Sequence, residues 1–239
     1  MPRASDNPVR RPPATPIVCY VTDRKSHAFT ASGGQLLGRI QSAMAAGADW
    51  VQVREKDLGT RDLLTLVRGV VGAARGARMS RRAEMLVIVN DRLDVALAAG
   101  ADGVHLGGES LPVRDVVRWC RGGSAPSDFR IGVSCHSLAE AREAEAAGAS
   151  YVFFGPVFDT PAKRRFGAPQ GTDRLVEVCR AVAMPVIAIG GVQEENAADC
   201  LRAGAAGIAA IRMFQELLDP ATLEVRVARL HALRMPPNG

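Results

Sequence analysis

The stretch ALAAGADGVHL, residues 96–106, joins an Ala-rich helical ending to a short apolar run through a single glycine. Glycine ends a helix at little cost because it accepts the left-handed backbone conformation. A brief apolar run just beyond it predicts a strand buried on both faces. The same Ala-Gly-Ala joint recurs at 46–48, 147–149 and 203–205, ahead of runs that begin Trp50-Val51, Tyr151-Val152 and Ile208-Ala209. Its glycines, Gly47, Gly100, Gly148 and Gly204, lie 53, 48 and 56 residues apart. One joint used four times at that spacing predicts a repeated architecture, with room for a further strand between successive joints.

The sequence fills that room. Apolar runs predict strands near 17–22, 49–54, 85–90, 102–106, 130–134, 150–154, 185–189 and 206–211. Helical patterns fall at 35–46, 61–78, 92–99, 112–121, 138–147, 172–182, 194–203 and 220–233. Strands alternating with helices imply right-handed crossovers and a parallel sheet. Eight such units are the size of a closed barrel, so the expected fold is α/β, a single (β/α)8 TIM barrel over 17–235. An open doubly wound sheet is the structural alternative, but no strand-to-helix GxGxxG turn is present. Residues 1–16, MPRASDNPVRRPPATP, have charge and proline without an apolar core, and read as a disordered tail rather than a secretory signal.

Composition limits the function classes. The chain has 239 residues, 47% hydrophobic, with no apolar stretch near the roughly 18–20 residues of a membrane span. A net charge of +5 raises the question of nucleic acid, but the cations are dispersed and aromatics are only 5%, leaving little stacking surface. No nucleic-acid or membrane partner is expected; a homo-oligomer is possible. The basic knot at 75–82 reads as a surface loop insertion. Five cysteines without CxxC spacing (Cys19, Cys120, Cys135, Cys179, Cys200) predict buried thiols in a reducing, cytoplasmic setting.

A barrel of this kind works at the C-terminal ends of its strands. The residues just past each strand therefore make up the candidate site: Arg54 to Asp57, Asn90 and Asp91, Gly107 to Ser110, Ser134 to Ser137, Gly155 to Arg165, Gly190-Gly191, and Ile211-Arg212. Only three of thirty basic residues are lysine, and two of them, Lys56 and Lys163, sit on this rim. Gly190-Gly191 is where barrels hold a phosphate on bare amides, with Arg212 nearby; a plain chain turn is the alternative. Arg54, Lys56 and Lys163 suit a second anion, and Asn90 and Asp91 offer hard oxygens for Mg2+. The alternative for that group is a set of rim salt bridges such as Arg54–Asp91. His136 reads as a hydrogen-bonded structural histidine or a general base. His105 and Cys135 read as inward-packed. Asp23 and Arg24 come after strand 1 with no role the sequence narrows.

With these residues assembled, the chain resembles thiamine phosphate synthase and its relative, the thiazole tautomerase. The likeness runs over about 17–218 and is carried by VQVREKD (51–57), VNDRLDVAL (89–97), GVHLGGESLP (103–112), IGVSCHSLAEA (131–141), FFGPVFDTPAK (153–163) and PVIAIGGV (185–192). The resemblance implies a (β/α)8 barrel in which an aminopyrimidine diphosphate joins a thiazole phosphate, releasing pyrophosphate. It places Gln52, Arg54, Lys56, Asn90, Ser134 and Lys163 on the pyrimidine diphosphate, Asp91 on Mg2+, and Thr160, Gly191, Ile211 and Arg212 around the thiazole phosphate. Ser110 stands where the family has a second metal-binding aspartate. Ala162 replaces a threonine, and Arg212 replaces a serine. These departures lean toward the tautomerase, whose catalytic histidine matches His136. Lys56, Asn90 and Asp91 lean toward the synthase, which is the reading expected here. A non-catalytic protein that binds a thiamine precursor is the third.

Overall fold

The four joint glycines all take positive φ: 104° at Gly47, 67° at Gly100, 91° at Gly148 and 98° at Gly204. Each joint closes its helix in the same way. The alanine after the glycine donates five residues back, Ala48 to Ala43, Ala101 to Ala96, Ala149 to Ala144 and Ala205 to Cys200, at 2.9–3.2 Å. That bond satisfies a helix-end carbonyl and turns the chain toward the barrel wall. At three joints the next residue reaches back to the preceding strand. Asp49 accepts from the Val18 amide at 2.8 Å. Asp102 accepts from Val87 at 2.7 Å, and Ser150 from Ile131 at 3.0 Å. The fourth joint has Ala206 there, which has no group to make the bond.

This computed structural model describes residues 15–25, 36–81, 85–159, 168–215 and 219–233. Eight parallel strands close in chain order into one barrel: β1 Ile17–Val21, β2 Trp50–Val53, β3 Leu86–Asn90, β4 Gly103–Leu106, β5 Arg130–Cys135, β6 Tyr151–Phe154, β7 Val186–Ile189 and β8 Gly207–Ala210. The helices are α1 Leu36–Ala46, α2 Thr60–Arg81, α3 Leu93–Ala99, α4 Val113–Trp119, α5 Leu138–Ala147, α6 Gly171–Ala181, α7 Glu194–Arg202, α8 Arg212–Gln215 and α9 Pro220–Ala232. The expected (β/α)8 TIM barrel is therefore the fold. The expected tail falls mostly on residues 1–14, outside the described residues.

Strand alternation divides the apolar residues into two cores. Cys19, Val21, Tyr151, Phe153, Ile187 and Ala209 fill the barrel interior. Their neighbours along each strand, Val18, Val51, Val87, Val104 and Val152 among them, pack outward against the helices. Because every strand is buried on both faces, its sequence reads as a continuous apolar run.

Three expectations need correction. The basic segment 75–82 is not a loop insertion: α2 continues through Arg81. Residues 75–79, RGARM, contain no proline, and their Ala, Arg and Met are good helix formers. Arg78 also holds the helix end to the barrel, donating to the Met85 carbonyl at 2.8 Å and to Asp102. Second, a one-turn helix, α8, begins at Arg212 just after β8, where only a strand end was expected. Third, the cysteines depart from expectation: Cys179 is half-buried while the other four are buried, and Cys135 packs on the helix-facing side of β5 rather than inward; all five are free.

Candidate active site

The strand ends bring Thr22, Arg54, Asn90, Gly107, Ser134, Gly155, Gly190 and Ile211 to one rim. Asp91 is the residue on which the acidic side of this rim turns. Its φ of 61° makes it the only non-glycine with positive φ among the described residues. Aspartate tolerates that conformation better than most residues, and strain of this kind collects at functional sites. One carboxylate oxygen accepts from the Asn90 side-chain amide at 2.6 Å. The other receives the Ser110 hydroxyl and, at 3.3 Å, the Gly107 amide. Ser110, expected where a second carboxylate would stand, thus does face Asp91.

The Asp91 charge also orients its neighbours. A carboxylate only accepts, so Asn90 must turn its NH2 toward Asp91 and its carbonyl away. That carbonyl takes a 3.0 Å bond from the Gln52 amide nitrogen. Gln52 Oε1 is left buried with no partner among the described residues. An unpaired buried acceptor is costly and rare.

Arg54 and Lys56 stand beside this line. Arg54 is half-buried and Lys56 exposed, and among the described residues neither has an ion-pair partner, so the Arg54–Asp91 salt bridge is not formed. The residues between and beside them serve the scaffold. Glu55 is 5% exposed. Burial raises its pKa, partly offset by hydrogen bonds from the Thr22 hydroxyl and the Arg24 amide. The Arg54 amide donates to Thr22 Oγ1 at 2.9 Å. Arg24 and Lys25 both pair with Asp57, the latter at 3.0 Å. Arg24 and Lys25 are thereby spent holding the loop after β1 to the loop after β2, which leaves Arg54 and Lys56 as the available cations on this side of the described rim.

A second polar line crosses the barrel interior. His105 is 1% exposed. Its Nε2 lies 2.9 Å from Ser134 Oγ and its Nδ1 3.2 Å from the Tyr151 hydroxyl. Burial pushes the imidazole down to about 3, with the Asp91 charge opposing and the Arg54 charge assisting. His105 is therefore inward and structural, as expected. Sequence reasoning missed Tyr151, taken only as the start of an apolar strand. The available signal was its inward parity beside Gly132, where a Cβ would fall 2.1 Å from the tyrosine ring.

Across the mouth, Gly190 and Gly191 have φ of 92° and 68°. A Cβ on Gly190 would lie 2.5 Å from Pro156, and one on Gly191 2.7 Å from the Asp159 carbonyl. The doublet is thus required by the turn itself. It also leaves bare backbone ahead of α7, with Ile211 half-buried and Arg212 exposed next to it. His136, just past β5, is exposed, and its Nδ1 bonds the Gly155 carbonyl. A carbonyl only accepts, so Nδ1 carries a proton. Thr160, Ala162 and Lys163 lie outside the described residues.

The profile of a family described as thiamine monophosphate synthase matches residues 18–214. A putative thiamine-phosphate synthase of Geobacter sulfurreducens is 43% identical, over 91% of this chain and 93% of its own. The thiamine-phosphate synthase of a Roseiflexus species is 36% identical, over 98% and 91%. Among solved structures, the thiamine phosphate pyrophosphorylase from Pyrococcus furiosus superposes with a TM-score of 0.75 at 31% identity, covering 90% of this chain and 96% of that one.

Proposed function

The chain belongs to the thiamine monophosphate synthase family, and from that premise we propose how its rim carries out the transfer that makes thiamine phosphate. The observation that carries the reading is the pair of unspent cations, Arg54 and Lys56, beside an acidic line that ends in a strained Asp91. The activity is that of a transferase. An aminopyrimidine bearing a diphosphate on its exocyclic methylene gives up pyrophosphate, and the ring nitrogen of a thiazole phosphate takes its place on that carbon.

Arg54, Lys56 and Lys163 hold the diphosphate and absorb the negative charge that grows as the methylene C–O bond breaks. The bonding pair leaves with pyrophosphate, and the thiazole nitrogen supplies the pair for the new C–N bond. No proton is transferred at the forming bond, so the step needs positioning and electrostatics more than a general base. Gln52 Oε1 accepts from the pyrimidine amino group, and Ser134 contacts the same substrate. Gly190, Gly191 and Thr160, with Ile211 and Arg212, cradle the thiazole phosphate.

Mg2+ fits this site. It is held through one or two carboxylates together with substrate phosphate oxygens and water, and Asp91 with Ser110 supplies hard oxygens of that kind. Among the described residues no cluster of three His, Cys, Asp or Glu side chains could hold a metal alone. Asp91 and the bound diphosphate would therefore hold the ion together. When bound, Mg2+ neutralises charge on the leaving pyrophosphate.

The partners are small phosphorylated molecules. Among the described residues no helix is long and apolar enough to cross a membrane. The work is assigned to the cytoplasm. Incubation with both substrates and Mg2+ is expected to yield thiamine phosphate and pyrophosphate. The variant His136→Gln is expected to keep much of that rate. Isomerisation of a thiazole carboxylate phosphate, lost in His136→Gln, with no condensation would replace this reading by the tautomerase. Binding without turnover in either assay would replace it by a non-catalytic binder.

A further inference from the structure

Tyr151, His105 and Ser134 form a chain of three polar groups from the barrel interior to the mouth. Tyr151 is 1% exposed, and among the described residues its hydroxyl meets only His105. The Ser134 hydroxyl likewise makes its one bond there with His105. In a neutral imidazole one ring nitrogen donates and the other accepts, and its two neighbours decide which.

Two arrangements satisfy the distances. If Nδ1 bore the proton, it would donate to the Tyr151 oxygen, and the phenolic hydrogen would be buried without an acceptor. Sealing a donor away unpaired is disfavoured. If Nε2 bears the proton, Tyr151 donates to Nδ1 and Nε2–H donates to Ser134 Oγ. Every buried hydrogen is then used, and only the Ser134 hydroxyl hydrogen, at the half-buried end, remains free.

We propose that Tyr151 is a positioning residue that, through His105, sets Ser134 as a hydrogen-bond donor toward the substrate. The substrate atom that meets Ser134 must then be an acceptor, such as an unprotonated ring nitrogen or a phosphate oxygen. This last step rests on the synthase reading. The polarity of the chain does not. Gln52 is fixed in the opposite sense, because Asp91 orients Asn90, which leaves Gln52 Oε1 as an acceptor. The mouth therefore offers one acceptor and one donor, each held by buried groups behind it. An amino-substituted nitrogen heterocycle presents the complementary donor and acceptor. Its oxo counterpart, with a carbonyl and a ring N–H, presents the reverse and is rejected.

Long-range 1H–15N NMR of 15N-labelled full-length protein reads which imidazole nitrogen carries the proton, with His105 identified by its loss in His105→Gln. The wild type is expected to show the Nε2–H tautomer. Tyr151→Phe keeps the ring volume and removes the donor, so its His105 is expected to become a mixture of tautomers. In the same variant KM for the aminopyrimidine diphosphate should rise about tenfold with kcat nearly unchanged, the pattern of one lost uniform binding contact. An Nδ1–H tautomer in the wild type overturns the inference, as does a Tyr151→Phe protein with unchanged tautomer and KM. The tautomer needs no turnover, so failure of the synthase reading leaves this test intact.

Discussion

Acid should weaken this protein in a way traceable to one buried ring. The ordinary imidazole value is 6.5, and burial takes His105 to about 3. As pH falls below 6.5 the unfolded chain takes up a proton that the folded one refuses. The stabilising contribution of neutral His105 is therefore complete above pH 6.5 and lost progressively as pH drops toward 3. At pH 5 the medium is about 1.5 pH units below the ordinary value, and each unit is worth about 1.4 kcal/mol. The loss between pH 8 and pH 5 is then about 2 kcal/mol. The result is insensitive to the folded value, so long as that lies well under 5. Urea unfolding without added metal, at both pH values, measures the difference for wild type and for His105→Gln. Other titrating groups are common to both proteins and cancel in the comparison. The variant is expected to be less stable at pH 8, through its lost packing and hydrogen bonds, but to fall less on acidification by about 2 kcal/mol. An equal fall in both proteins would refute the assignment of a neutral, solvent-excluded His105.

Gly190→Ala should lower stability by about 1–2 kcal/mol for the left-handed backbone alone, and by about 1–3 kcal/mol more for overpacking on Pro156. Thermal unfolding reads the loss, and weaker binding of thiazole phosphate should accompany it. Ser110→Asp gives the acidic side a second carboxylate, so Mn2+ affinity in the presence of pyrophosphate should rise about tenfold or more, followed by electron paramagnetic resonance. An unchanged affinity would mean that position 110 does not face the ion. Arg54→Lys keeps the charge but loses the planar fork, and kcat/KM for the diphosphate substrate should fall about a hundredfold in steady-state assays. Arg78→Ala frees the end of α2 from the Met85 carbonyl and Asp102 and should cost about 1–3 kcal/mol in urea unfolding, with kcat unchanged.

The barrel was legible because its determinants are local. A glycine with positive φ after an Ala-rich helix, then a run buried on both faces, is written in contiguous residues, and α5 falls at 138–147 as expected. Short-range chemistry also marked the rim, since a parallel barrel must put the residue after each strand at the same end. The basic segment was misread because a run of arginines resembles a solvated loop until Met85 and Asp102 are seen to receive one of them. Nothing in the one-dimensional order says that Asp57 neutralises Lys25 across thirty-two residues, leaving Arg54 and Lys56 unpaired among the described residues. Nor does it say that Gln52 ends with an orphaned oxygen, or that Tyr151 reaches His105.

The sequence by itself determined the alternation of eight strands with helices and which residues follow each strand. Periodicity and glycine stops act over a few residues and do not depend on distant partners. Only the tertiary structure decided which of those residues are available and which way they point. Hydrogen-bond direction and charge pairing are properties of side chains that meet across strands, and burial forces each such contact to be satisfied in one sense.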